Sequence, residues 1–411
     1  MDIRPIFSTL RRHKTAAALI VVEIALSCAI ICNALFLIDT RVDRMQRVSG
    51  LAEDQIVRVQ LAGIGQDDNA AALTASDLAA LQALPGVTAA AATNQVPFWN
   101  SSWNSSINLE EDQSHPNMNA TVYLGTEQLL ETMGLQLVAG RDLTANEFVD
   151  WEAFNAPNSD VGISAAVITS SVAEALWPGE PAVGKTFYSW GASPIRVVGV
   201  VQHLVRPNDQ GGPAAYEYAM LLPVKVPFNV GGNYLIRVGD PARRAELLKA
   251  ATDALLRNDP DRIVIEDSTL TLEQMRAQYY RTDRAMVGLL IAMSIALLVV
   301  TAFGIVGLAS FWVQQRTKQI GVRRALGATR GQILRYFQTE NFLLATLGIV
   351  IGMVLAYGIN LSLMDRYELP RLPAVYLPIG ALALWLLGQV AVYGPARRAA
   401  AVPPAVATRS V

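Results

Sequence analysis

The chain has 411 residues, 52% of them hydrophobic and 17% charged, with a formal net charge of −2. An ordinary soluble chain carries about 25% charged residues, so a purely cytosolic enzyme is disfavoured, and so much apolar content at so low a net charge excludes a disordered chain. Residues 39–285 hold 18 basic and 30 acidic side chains, a net of −12, which makes that segment a poor partner for nucleic acid.

The chain opens with a basic tail, 1–15, carrying Arg4, Arg11, Arg12 and Lys14. An apolar run at 16–38 follows, free of Lys, Arg and Asp and long enough for a helix across a hydrocarbon core, which needs about 20 residues. It exceeds the roughly 7–15 residues of a signal-peptide core and leads into Asp39, Arg41, Asp43 and Arg44, so it reads as an uncleaved anchor. Cys28 and Cys32 lie one turn apart on one helical face and read as small packing residues, not a disulfide. Glu23 and Asn33 are polar positions inside the span. An ionised carboxylate facing lipid costs about 2.5–3.5 kcal/mol, so Glu23 is expected at a protein seam or protonated. A proton or ion pathway and an interhelical hydrogen bond are both open for it, and the hydrogen bond is the reading for Asn33.

Residues 39–285 are expected to form an extracytoplasmic α+β domain in two lobes, since short strands alternate with short helices. Strands are predicted at 56–61, 87–91, 195–201, 218–222, 234–238 and 263–265, where β-branched and aromatic residues concentrate, and 166–169 leads into a helix. Helices are predicted at 74–84, from a Thr74/Asp77 capping box; at 126–133, stopped by Gly134; at 172–176; and at 241–256, after Asp240 and Pro241. Residues 94–119 read as a long surface loop. Its aromatics Phe98, Trp99 and Trp103 either close a core edge or meet a hydrophobic substrate or a partner protein. A helix from 271 to 284 is expected to run unbroken into the second span.

Gly179, Gly184, Lys185 and Thr186 fit a phosphate-loop pattern to the letter. Such a loop follows a strand and opens a helix whose amides hold phosphate. Here a helix precedes the pattern and a strand follows it, so the expectation is a turn without nucleotide. His13, His115 and His203 are the only histidines, too few and too scattered for a metal site. No catalytic residue, cofactor-binding residue or metal ligand is predicted on this chain.

Three more spans follow at 286–312, 339–362 and 374–395, separated by a loop at 313–338 and a short extracytoplasmic loop at 363–373, with a tail at 396–411. The two tails and the 313–338 loop hold 13 of the 33 basic residues, so they read as cytoplasmic and place both termini inside. Gly304 and Gly307, with Gly348 and Gly352, offer places for close helix approach. The loop fits two short helices, the first stopping at Gly327 and the second capped by Thr329 with Gln332. Ile320, Arg323, Arg324 and Gly327 recur at spacings of three or four, which puts an apolar contact and basic groups on one surface. That surface either docks on a cytosolic subunit or lies on anionic membrane lipid.

The run RTKQIGVRRALGATR at 316–330 resembles the loop after the second span of the MacB/FtsX-like ABC transporter permeases. GRDL at 140–143, LWPGEPAVGK at 176–185, VVGV at 197–200 and PARRA at 395–399 agree, and the order of segments matches along nearly the whole chain. The resemblance implies a four-span, mechanotransmitting permease of the inner membrane, with residues 286–400 as its FtsX-like portion. It implies that Ile320, Gly321, Val322, Arg323, Arg324, Ala325, Leu326, Gly327 and Ala328 couple to a separate ABC ATPase dimer that carries ATP and magnesium. A second permease copy or a homologous permease would complete the pair, with a periplasmic adaptor if the cell has two membranes. Glu23 departs from the apolar or amide character such a first span usually has. The implied activity is export or efflux without bond chemistry on this chain. The alternatives are a lipoprotein-release or cell-wall-hydrolase-regulating permease, or a membrane-anchored sensor.

Overall fold

The computed structural model describes residues 14–63, 69–157, 159–191, 193–209, 215–367 and 371–403. Two compact units result, one drawn from Met1–Gln46 with Thr282–Val411, the other Arg47–Arg281. The first described element is α1 (Lys14–Gln46), in the first unit, which continues eight residues past the predicted span.

The second unit is α+β and has two lobes, each with its own apolar core. The first lobe is a five-stranded sheet of β1 (Ile56–Ala62), β2 (Val87–Thr93), β12 (Asn233–Val238), β13 (Ile263–Val264) and β14 (Leu270–Thr271). Its order is β13-β1-β12-β2, with β14 also on β1, and the pairings are antiparallel. Helices α2 (Ala70–Gln82) and α6 (Arg244–Asn258) belong to this lobe and close on each other.

The second lobe is inserted between β2 and β12. Its seven-stranded sheet joins β3 (Asn104–Ile107), β4 (Met118–Leu124), β5 (Leu137–Gly140), β7 (Ala165–Thr169), β8 (Thr186–Tyr188), β9 (Pro194–Val201) and β10 (Ala219–Leu222). The order is β3-β4-β10-β7-β9-β5, with β8 on β9. Strand β9 pairs with three strands, as its β-branched run requires of an interior position. The short helix α3 (Leu129–Met133) packs on β2 and β12 of the first lobe, while α4 (Trp151–Phe154), α5 (Ser170–Leu176) and the small β6 (Val149–Asp150)–β11 (Val224–Lys225) pair complete the second.

Three expectations are corrected in this unit. Helix α2 starts at Ala70, not Thr74. Thr74 sits inside it, donating to the carbonyl of Ala70 at 2.7 Å, and Asp77 is fully buried. The 94–119 segment is not a surface loop: it contains β3 and the start of β4, and Asn94, Gln95 and Phe98 are buried. Asn94 and Gln95 each donate to the Val122 carbonyl, at 3.1 and 2.8 Å, so these polar side chains satisfy backbone that would otherwise be orphaned. Third, the helix into the second span is interrupted. Helix α7 (Leu272–Tyr279) ends at Tyr280, which is buried against Phe98, and α8 (Arg281–Gln315) begins after it.

The phosphate-loop pattern adopts the expected turn between α5 and β8. The Gly184 amide donates to Val197 O at 2.8 Å and the Lys185 amide to Ala182 O at 3.1 Å, while the Lys185 ammonium pairs with Glu180. These two amides of the pattern are engaged within the chain.

In the first unit, α1, α8, α10 (Arg330–Tyr367) and α11 (Tyr376–Ala401) are, among the described residues, the four helices long and apolar enough to cross a membrane. Between α8 and α10 lies the short helix α9 (Thr317–Ala325). The segment expected as a second short helix after Gly327 is the first part of α10, so the third span and the end of the loop from Arg330 form one 38-residue rod. Helix α1 is central: 61% of its apolar window is buried, against 11% for α8. Helix α8 contributes a narrow stripe, Thr301, Ile305, Ala309 and Trp312, and leaves Leu289, Ile295, Val300 and Phe303 exposed.

Candidate functional site

Two places on the helical unit carry the predicted site residues: the elbow around α9 and the polar positions of α1.

The elbow is built from capping signals. Helix α9 ends with Arg323 and Arg324 in its last turn, where cations complement the helix dipole. The Gly327 amide donates to Arg324 O at 3.1 Å, and Gly327 takes φ of 97°, a conformation that suits glycine. Thr329 then caps α10: its hydroxyl accepts from the Gln332 amide at 3.3 Å, and Gln332 Oε1 accepts from the Thr329 amide at 2.9 Å.

Tertiary contacts divide the predicted coupling residues into two sets. Ile320 and Gly321 are buried, and Ile320 packs in an apolar cluster with Ile333, Phe337, Ala396, Ala399 and Ala400. Ile320 therefore does not share an outward surface with Arg323 and Gly327; it anchors α9 to α10 and α11. Arg324 is also largely spoken for, since its guanidinium donates to the carbonyls of Ala400 and Val402 at 2.8 and 2.9 Å. Arg323 stacks over the Tyr336 ring at 5.1 Å while remaining exposed. The outward set is Val322, Arg323, Ala325, Leu326 and Gly327, with Ala328 half-buried, and Leu326 is 83% exposed. An apolar tip with basic residues at its sides stands on an apolar base.

The base holds a buried ion pair that the sequence reading missed. Arg316, between α8 and α9, donates to both carboxylate oxygens of Glu340 on α10, at 3.1 and 2.9 Å, and both side chains are buried. Its guanidinium also sits 5.6 Å from the Trp312 ring centre. The available signal was an acidic residue at the edge of a span, which needs a partner once it is removed from water. A second such clamp lies at the other end of α8. The buried Asp283 accepts from Arg41 at 2.5 Å and Arg44 at 3.3 Å, both on the extension of α1 beyond its predicted span.

The intramembrane positions lie at seams. Asn33 donates to Ala29 O at 2.9 Å and across to Ala356 O on α10 at 3.1 Å, an interhelical hydrogen bond. Glu23 faces α8 at Gly304, where a side chain would meet its carboxylate at 2.4 Å. One turn along, the hydroxyls of Ser27 and Thr301 lie 2.8 Å apart and link the same two helices. Cys28 and Cys32 are fully buried, with their sulfurs 4.0 Å apart. A side chain on Gly352 would reach Cys28 Cβ at 2.5 Å, and one on Gly380 would reach Cys32 Sγ at 2.5 Å. Gly348 meets Ile24 in the same way, whereas nothing lies within 4 Å of the space a Gly307 side chain would fill. Among the described residues, no three His, Cys, Asp or Glu side chains converge to hold a metal ion.

Two family models match the chain: the MacB-like periplasmic core domain over residues 17–254, more than half of its length, and the FtsX-like permease C-terminal domain over 291–404. The macrolide export ATP-binding/permease protein MacB of Shewanella sp. (strain W3-18-1) is 27% identical over 278 residues, 65% of this chain and 40% of that protein. The ABC transporter permease YknZ of Bacillus subtilis (strain 168) is 24% identical over 71% of this chain and 70% of its own length. The pyoverdine export ATP-binding/permease protein PvdT of Pseudomonas putida is 30% identical over 66% of this chain and 43% of that protein. The chain thus spans less than half the length of the two ATP-binding relatives. With the first model matched over more than half of the chain and the second over most of the remainder, the chain belongs to the MacB/FtsX-like family of ABC transporter permeases.

Proposed function

We propose that this chain is the permease subunit of an ATP-driven export or efflux system of the inner membrane, with both termini and the α9 elbow in the cytoplasm. A separate ABC ATPase dimer, carrying ATP and magnesium, engages the outward residues of the elbow, Val322, Arg323, Ala325, Leu326 and Gly327. The carrying observation is Leu326, 83% exposed at the tip of a helix whose other side is fixed by Ile320 and the Arg316–Glu340 pair. An apolar side chain held out on a rigid base fits insertion into a partner's pocket, and a push on it passes into α8 and α10 because the base cannot give way locally. The bare face of α8 supports a second permease copy as its partner in the membrane, which supplies the second elbow a dimeric ATPase needs. A periplasmic adaptor completes the assembly in a cell with two membranes. The chain performs no bond chemistry in this scheme.

The test is Leu326→Glu in the full chain, reconstituted with its ATPase. ATPase retention in a detergent pull-down should fall at least tenfold, because burying an unpaired carboxylate in an apolar contact costs about 2 kcal/mol or more, while the melting temperature stays that of the wild type. Undiminished retention would remove the elbow as the dock.

A further inference from the structure

The α+β domain contains a groove of about 380 Å³ between α2 of the first lobe and the β6–β11 corner of the second. That is within the size range of sites for small organic molecules. One wall is the outer face of α2, where Ala71, Ala75 and Ala79 recur at every fourth position and are exposed. Leu78 adds to this apolar wall and Thr74 and Gln82 give it polar edges, while the other side of the helix is buried through Ala70, Asp77 and Leu81.

The facing wall is Trp151, half-buried at the start of α4. Trp151 belongs to a row of rings. Its centre is 6.1 Å from Trp103 on one side and 6.4 Å from Phe154 on the other, and Phe154 lies 5.8 Å from Trp190. Trp103 and Trp190 are each 39% exposed, and Trp190 holds φ of 57°, a region bulky residues occupy only when their surroundings enforce it.

Charge decides what such a groove selects. Asp150 and Glu152 flank Trp151 in the chain, and both are exposed on the groove lining. Among the described residues the lining has one basic side chain, Lys225, 2.5 Å from Glu127, which neutralises that pair and leaves the rim negative. An aromatic face beside uncompensated carboxylates attracts a cation twice, through the ring quadrupole and through the field of the carboxylates. The apolar α2 wall requires that the cation carry an apolar body.

We infer that this groove binds an organic cation with an apolar or aromatic body, held by Trp151 against the alanine face of α2 with its charge toward Asp150 and Glu152. Binding needs no ATPase, so its failure and a failure of the elbow as the dock are separate results.

The experiment uses the full chain in a nonionic detergent. Benzyltrimethylammonium and, separately, benzenesulfonate are titrated, binding is read by saturation-transfer NMR, and the signal of empty micelles is subtracted. The cation should bind and the anion should not. The double variant D150N/E152Q should bind the cation on the order of tenfold more weakly, and Ala75→Trp, which fills the groove, should abolish binding. All three positions are exposed, and an unchanged melting temperature identifies folded variants. Equal binding of both ions, binding of neither, or a cation affinity that survives both variants overturns the assignment. The comparison of the two ions on the unaltered chain decides even if a variant fails to fold.

Discussion

Asp77 is fully buried, and everything around it is arranged to accept its charge. It pairs with the buried Arg262, which also donates to Leu255 O at 2.7 Å, and it accepts from Tyr234 at 2.5 Å and Asn258 at 2.7 Å. Burial and then the adjacent carboxylate push the Tyr234 phenol well above its ordinary pKa, so it remains a donor throughout. Asp77→Ala leaves a guanidinium buried without its partner and should destabilise the domain by about 3–5 kcal/mol, read as a lowered midpoint in denaturant unfolding of the full chain. Glu147 behaves differently. Hydrogen bonds from Arg141, at 2.6 and 2.9 Å, lower its pKa to about 2. A carboxylate depressed in the folded state contributes stability that is fully present above its unfolded value near 4.5 and is lost as pH falls through about 2. Melting temperature should therefore fall between pH 5 and pH 2, and Glu147→Gln should reduce that slope. Neither role was legible as such. Thr74 and Asp77 together imitate a capping box, and only the arrival of Arg262, 185 residues later, shows that Asp77 belongs to a core.

At the scale of elements, small residues set how α1 meets its neighbours. Gly348 and Gly352 on α10 admit Ile24 and Cys28, whereas Gly307 on α8 faces open space. Gly352→Leu should therefore separate α1 from α10 and cost about 1–3 kcal/mol, while Gly307→Leu meets no other helix of the same chain and should leave the fold of the single chain intact; thermal stability of the two variants as monomers in detergent distinguishes them. The glycines were visible in the sequence, but which of them face a helix was not, because the α1, α8 and α10 patterns are apolar nearly all round. The elbow's ends, by contrast, were readable from Gly327, Thr329 and Gln332, since capping depends on residues within one turn. The fate of Ile320 was not, because α9 alone has no inside until α10 and the end of α11 close over it. The interruption at Tyr280 was hidden for the same reason: nothing in the local residues forbids a helix there, and Phe98, at φ of 63°, supplies the contact from 182 positions away.

For the whole molecule, charge distribution predicts the topology. Residues 39–285 carry a net of −12, and the basic residues near span ends gather in the two tails and the 313–338 loop. Single cysteines placed at Ser76 and at Lys318, in a chain with Cys28 and Cys32 replaced by Ser, should divide cleanly. A membrane-impermeant maleimide applied to intact spheroplasts should label position 76 and not position 318. Labelling of 318 alone would invert the proposed orientation.

The sequence by itself determined the four spans, the two-lobed α+β class, the main strands and the caps of the elbow. Each of these depends on composition over a window or on chemistry within a few residues, where hydrophobic period, β-branching and capping act directly. Tertiary structure alone decided which residues of α9 point outward, that Arg316 and Glu340 form the elbow's base, that Asp77 lies in a core, and that α2 faces Trp151 across a groove. Those facts depend on which distant segment covers a given face, and one face looks the same in the sequence whether it meets water, lipid or another helix.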